Sequence, residues 1–159
     1  MTLGVKDVAK WRQAFVEAVQ ELSETCFGGV PVTERGYRNK MPDSLLGAFV
    51  QVVSKEGAVL VGLIASSEAC DGLARLMLQM EPEDEIAEND ANDAMGEIIN
   101  IAAGGIKTKL SAEIGAIELG LPLFLSGRLH AVGNIAVEVA EMSIGHFPCE
   151  LIVFALTGK

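Results

Sequence analysis

The sequence contains few cysteines and few basic residues. Its three cysteines, Cys26, Cys70 and Cys149, are odd in number and far apart, so they predict neither a disulfide framework nor a metal-binding cluster. Only 12 lysines and arginines stand against 22 aspartates and glutamates, which gives a net charge of -10. Since phosphate backbones and anionic lipids attract basic surfaces, this balance argues against nucleic acid and anionic membrane surfaces as partners.

A long apolar run is also missing. A membrane-spanning helix needs ~20 consecutive apolar residues, and the longest uncharged stretches, such as 44–54 and 57–67, reach about half that length. Near the N-terminus, Lys6, Asp7 and Lys10 occupy the place where a secretory signal would need an apolar segment. We therefore expect no membrane span and a cytoplasmic location.

The chain has enough apolar material to build a core. Half of its residues are apolar and 21% are charged, which excludes a disordered chain. Its 159 residues fit one domain, residues 1–159, long enough to bury about two-thirds of the extended-chain surface. The mean hydropathy of +0.35 is high for a soluble protein and indicates much buried sheet or a subunit interface.

The first half of the chain shows a helix followed by a hairpin. Apolar residues recur at helical spacing over 5–26, and Gly28 and Gly29 can close that helix. Residues 30–41 are polar and rich in turn formers, which fits an edge hairpin or a loop. The apolar runs 45–54 and 57–65 predict an antiparallel hairpin buried on both faces, and Ser66 or Ser67 can cap the helix that follows.

The second half predicts a long helix and then three strands. This helix should begin just after Pro82 and run past Asn100, with the acidic residues 83–85 at the positive end of its dipole. Strand-like segments follow at 116–124, 136–144 and 150–156. Because strands and helices do not alternate regularly, we expect an α+β fold, an antiparallel sheet covered on one face by long helices.

Four residues of the long helix are candidate functional residues. Asp93, Glu97, Asn100 and Gly104 follow one another at steps of four, three and four, which places them along one helical stripe. Aliphatic residues occupy the opposite stripe, so Glu97 and Asn100 should face outward. Gly104 and Gly105 each cost ~1 kcal/mol in a helix relative to alanine, which indicates either close backbone approach or an early helix end.

Residues 93–105, DAMGEIINIAAGG, resemble the signature of the CheC, CheX and FliY chemotaxis phosphatases. In that signature an Asp or Ser is followed by E-x-x-N and, more than twenty residues later, by a proline. The proline here is Pro122, one residue earlier than the family spacing. The opening helix and the strand order also resemble CheX, and residues 5–27 lack the second E-x-x-N of the CheC type, so one site per chain fits the CheX pattern.

The resemblance implies a hydrolase of two-component signalling, which removes the aspartyl phosphate from a CheY-type response-regulator receiver domain. In such an enzyme Asn100 would orient the attacking water and Glu97 would pair with a receiver lysine. Asp93, Gly104 and Pro122 would be supporting or motif residues. We expect this chain to bind no metal or cofactor, with Mg²⁺ on the receiver, and to form a homodimer by joining sheets.

The sequence is also compatible with two other functions. The same fold could be a non-catalytic module, related to flagellar switch proteins, that docks receivers or adaptor chains through the same helix. A dimer that binds an unrelated small ligand is a third possibility.

Overall fold

The computed structural model describes residues 7–156, and these contain three helices and seven strands. In chain order the elements are α1 (Val8–Cys26), β1 (Val32–Arg38), β2 (Ser44–Ser54), β3 (Gly57–Ile64), α2 (Ser67–Met77), α3 (Glu88–Ile114), β4 (Ile117–Leu119), β5 (Leu123–Arg128), β6 (Ile135–Ile144) and β7 (Phe147–Leu156). Among the described residues no helix is both long enough and apolar enough to cross a membrane.

All strands belong to one antiparallel sheet, in the order β1-β6-β7-β3-β2-β4, with β5 also paired to β2. The predicted α+β class is therefore confirmed. The predicted hairpin is formed by β2 and β3, which pair from Ser54 opposite Gly57 to Gly47 opposite Ile64. Residues 30–41, which the sequence predicts as an edge hairpin or a loop, contain the single edge strand β1, which pairs with β6.

The helices cover one face of the sheet, as predicted. Phe15 and Val19 of α1, Ile98 and Ile106 of α3 and Leu73 of α2 are fully buried in one cluster with the inward-facing strand residues. The other face carries a smaller cluster of buried residues, which are Leu45, Phe49, Ile64, Val137, Val139 and Ile152. Met41 and Leu129, from two connecting segments, pack against this cluster.

Side-chain caps fix the start of the first two helices. The Asp7 carboxylate accepts a hydrogen bond from the Lys10 N–H at 3.2 Å, and the Ser66 hydroxyl accepts one from the Ala69 N–H at 3.0 Å. The first of these helices begins at Val8, and residues 5 and 6 of the predicted helix lie outside the described residues. Gly28 and Gly29 follow its end with φ of +65° and +76°, as the sequence predicts.

The predicted start of the long helix is wrong. α3 begins at Glu88, not just after Pro82, because side-chain hydrogen bonds fix a turn in between. The Asp84 carboxylate accepts a hydrogen bond from the Glu81 N–H at 2.9 Å, and Arg75 Nε donates to the Asp84 carbonyl oxygen at 2.8 Å. Residues 83–85 are therefore not in the helix, and Glu88 and Asp90 are the acidic residues of its first turn.

The predicted strand 116–124 is also corrected, since it consists of two strands. β4 ends at Leu119 and β5 begins at Leu123. The Gly120 N–H still donates to the Gln51 carbonyl at 2.7 Å, but Pro122 has no N–H with which to continue a ladder. Because of this break, Pro122 belongs to neither strand and lies beside α3.

α3 continues through its two glycines to Ile114, so the early helix end is excluded. A Cβ atom built on Gly105 would lie 2.8 Å from the Ala18 Cβ, which shows that α1 and α3 approach each other closely there. A Cβ atom on Gly104 would meet no atom within 4 Å. The two neighbouring glycines therefore occupy different surroundings.

Candidate functional site

The four candidate residues of α3 form one surface line, which we name the α3 stripe: Asp93, Glu97, Asn100 and Gly104. Asp93 and Glu97 are exposed, whereas Asn100 and Gly104 are half-buried. Glu97 and Asn100 stand three residues apart on the same helix, at a spacing that brings their Cβ atoms to about 5–6 Å. The structure therefore brings together the pair that the sequence indicates.

The rest of α3 is packed into the protein on both sides of this stripe. Its buried residues are Ala91, Ala94, Met95, Ile98, Ile99, Ala102, Ala103, Ile106, Leu110 and Ile114. This set includes the predicted aliphatic stripe and widens it. Because so much of the helix circumference is buried, the backbone that carries Glu97 and Asn100 is held on a rigid element.

Within residues 7–156, no hydrogen bond or ion pair engages the side chains of Asp93, Glu97 or Asn100. A surface carboxylate and amide in this state are hydrated, and they are available to a partner without breaking an internal bond. The pair can offer one anionic acceptor and one group that both donates and accepts.

Pro122 lies against the same helix. A Cβ atom built on Gly96 would be 3.7 Å from the Pro122 Cβ and 3.9 Å from its Cγ. Gly96 and Asn100 are one helical turn apart, so Pro122 neighbours the Asn100 side of the α3 stripe. Pro122 therefore lies beside the helix, although it comes one residue earlier than the spacing of the signature predicts.

A groove runs along the other side of the α3 stripe. It has a volume of about 450 Å³ and is lined by Met77, Leu78, Asp90, Asp93, Ala94 and Glu97. Met77 ends α2 and Leu78 is its C-cap, so this helix supplies an apolar wall beside the two carboxylates of the stripe. Spacing along the chain does not predict that the end of α2 lies here, because the contact depends on how the helices pack.

No group of three or more His, Cys, Asp or Glu side chains in residues 7–156 is arranged to hold a metal. His146 lies in the β6–β7 turn, where its ring packs on the Phe147 ring at 4.1 Å between centroids. His130 is exposed between β5 and β6.

The sequence matches the family described as chemotaxis phosphatase CheX over residues 46–145. The chain belongs to the CheX family. This match covers more than half of the chain and includes the α3 stripe and Pro122. No curated protein sequence matches.

Solved structures of CheX proteins and their relatives share the fold. A chemotaxis protein CheX from Desulfovibrio desulfuricans is 18% identical with a TM-score of 0.73, over 92% of this chain and 98% of that one. The CheX–CheY–BeF3–Mg²⁺ complex from Borrelia burgdorferi gives 15% identity and a TM-score of 0.65, over 91% and 96%. The FliM middle domain from Vibrio alginolyticus gives 10% and 0.62, over 93% and 92%.

Sequence reasoning missed the apolar residues that flank the stripe. Leu121, directly before Pro122, is 84% exposed, and Leu78 is 46% exposed. Leu123, directly after Pro122, pairs with Phe49 and therefore lies on the other face of the sheet. The signal available for Leu121 was a run of leucines around a proline, ELGLPLFL, which is too apolar for an ordinary surface turn.

Proposed function

We propose that this CheX-family chain is a phosphatase that hydrolyses the aspartyl phosphate of a CheY-type receiver domain. The observation that carries the proposal is the placement of Glu97 and Asn100 side by side on α3, at the surface and without an internal partner among residues 7–156. A site made of one carboxylate and one amide is sufficient only if the substrate brings the rest of the chemistry.

A receiver domain would supply the remaining chemical groups. Phosphoryl transfer to water has a loose transition state, so catalysis depends on an in-line nucleophile and on charge stabilisation. The receiver supplies the phosphorylated aspartate, its Mg²⁺ and a lysine. Water attacks phosphorus, the bond between phosphorus and the aspartyl oxygen breaks, and inorganic phosphate and a free aspartate result.

Asn100 is proposed to position the attacking water. Its amide oxygen accepts a hydrogen bond from the water while its NH₂ group donates to an acceptor on the substrate side. A glutamine has this task in signalling GTPases. Asn100 is half-buried, which restricts its rotamers and favours one orientation of the amide.

Glu97 is proposed to pair with the receiver lysine and so set the register of the complex. It is exposed and has no cation bonded to it among the described residues, so pairing requires no rearrangement within the chain. Removal of water on docking makes such a charge pair stronger than it is on a free surface. Asp93, one turn earlier, adds negative potential along the same line.

The proposal is supported by the family match and by the fold shared with the CheX–CheY–BeF3–Mg²⁺ complex. The experiment is to follow the decay of a phosphorylated CheY-type receiver of the same organism, at fixed Mg²⁺, with and without this protein. We expect faster decay with the wild type, and at least about a hundredfold less acceleration with Asn100→Ala.

Asn92→Ala is the matched control. It removes the same side chain from the same helix two turns earlier, where Asn92 lines a different groove with Cys70 and Asp71. We expect this variant to accelerate decay like the wild type. Unchanged decay of every receiver with the wild type would refute the proposed phosphatase.

A second candidate is a non-catalytic docking module. The fold shared with the FliM middle domain favours it, because the same scaffold occurs outside CheX proteins. A chain carrying both Glu97→Ala and Asn100→Ala separates the two candidates. If this double variant still performs the cellular role, docking alone is the function.

A further inference from the structure

Exposed leucines stand on both sides of the α3 stripe. On the Asn100 side, Leu121 directly precedes Pro122, which packs on Gly96 of the same helix. On the other side, Leu78 lines the groove that contains Asp93 and Glu97. A single exposed leucine is ordinary on a protein surface, but two leucines from separate segments, one on each side of the same polar line, form a patterned surface.

The line between these leucines is acidic. Asp90, Asp93 and Glu97 lie along it, and no lysine or arginine within residues 7–156 is bonded to any of the three. The charge complement of this surface is therefore a cationic group surrounded by apolar contacts. Such a pattern, a charged centre inside an apolar border, excludes water from the central pair when a partner docks.

We propose that Leu78 and Leu121 are the residues that bind the receiver domain and set its affinity, whereas Glu97 and Asn100 act on the phosphate. We name these two leucines the leucine border. This inference rests on the proposed function, since the receiver is the partner whose lysine meets the acidic line. It assigns recognition to side chains that touch neither the phosphate nor the attacking water.

This division of labour predicts a split between binding and turnover. Truncating a residue of the leucine border removes a contact that is present both in the complex with the receiver and in the transition state. KM therefore rises, and kcat stays unchanged. We expect Leu121→Ala to weaken receiver affinity about tenfold, which corresponds to about 1.4 kcal/mol. Asn100→Ala should leave the affinity for the receiver unchanged and lower kcat.

Val53→Ala is the control for loss of an exposed aliphatic side chain. Val53 is 42% exposed, close to the value for Leu78, and it alternates with Val52, which is buried against the helices. Val53 therefore lies on the opposite face of the sheet. We expect its variant to bind the receiver like the wild type.

The experiment titrates each variant with a phosphorylated CheY-type receiver of the same organism and measures its dephosphorylation in parallel. Leu121→Ala and Leu78→Ala test the two sides of the border separately, and their thermal unfolding should match that of the wild type because the side chains are exposed. Weaker affinity with unchanged kcat for both, and an unchanged Val53→Ala, supports the inference.

The outcomes that overturn it differ from those that overturn the phosphatase. If the leucine variants bind like the wild type, the inference is wrong, while a wild type that accelerates decay keeps the phosphatase. If the wild type binds the receiver without accelerating decay, the phosphatase is wrong and the leucine variants still decide the docking surface. A wild type that binds no phosphorylated receiver refutes both.

Discussion

Replacing the two neighbouring glycines of α3 by alanine should have opposite effects on stability. At Gly104 a new Cβ would meet no atom within 4 Å, so only the helix preference of alanine changes. Alanine is about 1 kcal/mol more favourable than glycine in a helix interior. We therefore expect Gly104→Ala to raise the free energy of unfolding by about 1 kcal/mol, or Tm by roughly 2–4 °C for a domain of this size.

At Gly105 the same gain in helix preference is opposed by a clash. The new Cβ would lie 2.8 Å from the Ala18 Cβ and 3.5 Å from its Cα, whereas ordinary contacts begin at 3.4 Å. Neither atom can rotate away, so α1 and α3 must separate at their closest point. Overpacking of a core costs about 1–3 kcal/mol, and this penalty is the expected difference in stability between Gly104→Ala and Gly105→Ala.

The assay is equilibrium unfolding in urea, with Tm as a second measurement. A third variant, with Ala18→Gly added to Gly105→Ala, moves the methyl group from one helix to the other and removes the clash. Its stability should exceed that expected from the sum of the two single changes, by the amount of the overpacking penalty. A Gly105→Ala variant as stable as Gly104→Ala would refute the argument that these helices touch through a glycine.

Ser66→Ala should lower the free energy of unfolding by about 1 kcal/mol, because the Ala69 N–H loses its cap, while Ser67→Ala should change it little; equal loss in urea unfolding for both would contradict this. Burial raises the pKa of the Cys70 thiol to about 11 and that of Cys149 to about 12, so at pH 8 a thiol reagent should label half-buried Cys26 first, and equal labelling rates for all three would refute the packing. Asn100→Asp should reduce receiver dephosphorylation by about two orders of magnitude, since a carboxylate cannot donate a hydrogen bond; retained activity would remove the positioning role of the amide. The chain alone should not hydrolyse a small acyl phosphate in Mg²⁺, because the proposed site lacks the lysine and the metal of a receiver; turnover of such a substrate would show a different site.

The sequence predicted the elements whose signals are local. The helical spacing of residues 8–26, the glycines after them and the two apolar runs around Lys55 and Glu56 each describe one element, and the structure confirms each. The stripe on α3 is also a local signal, because helical spacing alone places Asp93, Glu97 and Asn100 on one line.

The misplaced boundaries depended on competition between local bonds. The acids 83–85 suit the first turn of a helix, but the Asp84 side chain accepts a backbone hydrogen bond and Arg75 holds the same residue, so a turn forms instead. The position of Leu78 beside Glu97 depends on the packing of α2 against α3, and the position of Pro122 depends on where the sheet path breaks. Neither follows from spacing along the chain.

The physical character of α3 matches a task of positioning rather than of reaction. A group that must place a water molecule gains from a backbone that does not move, and α3 is buried along most of its circumference. Its polar pair forms no bond within residues 7–156, so hydration keeps it stable until a partner removes the water. The strength of the interactions that Glu97 and Asn100 make with a partner then depends on how completely the partner covers these two side chains. That dependence is the reason to expect apolar residues around the stripe, and it gives the exposed Leu78 and Leu121 a physical connection to the proposed chemistry.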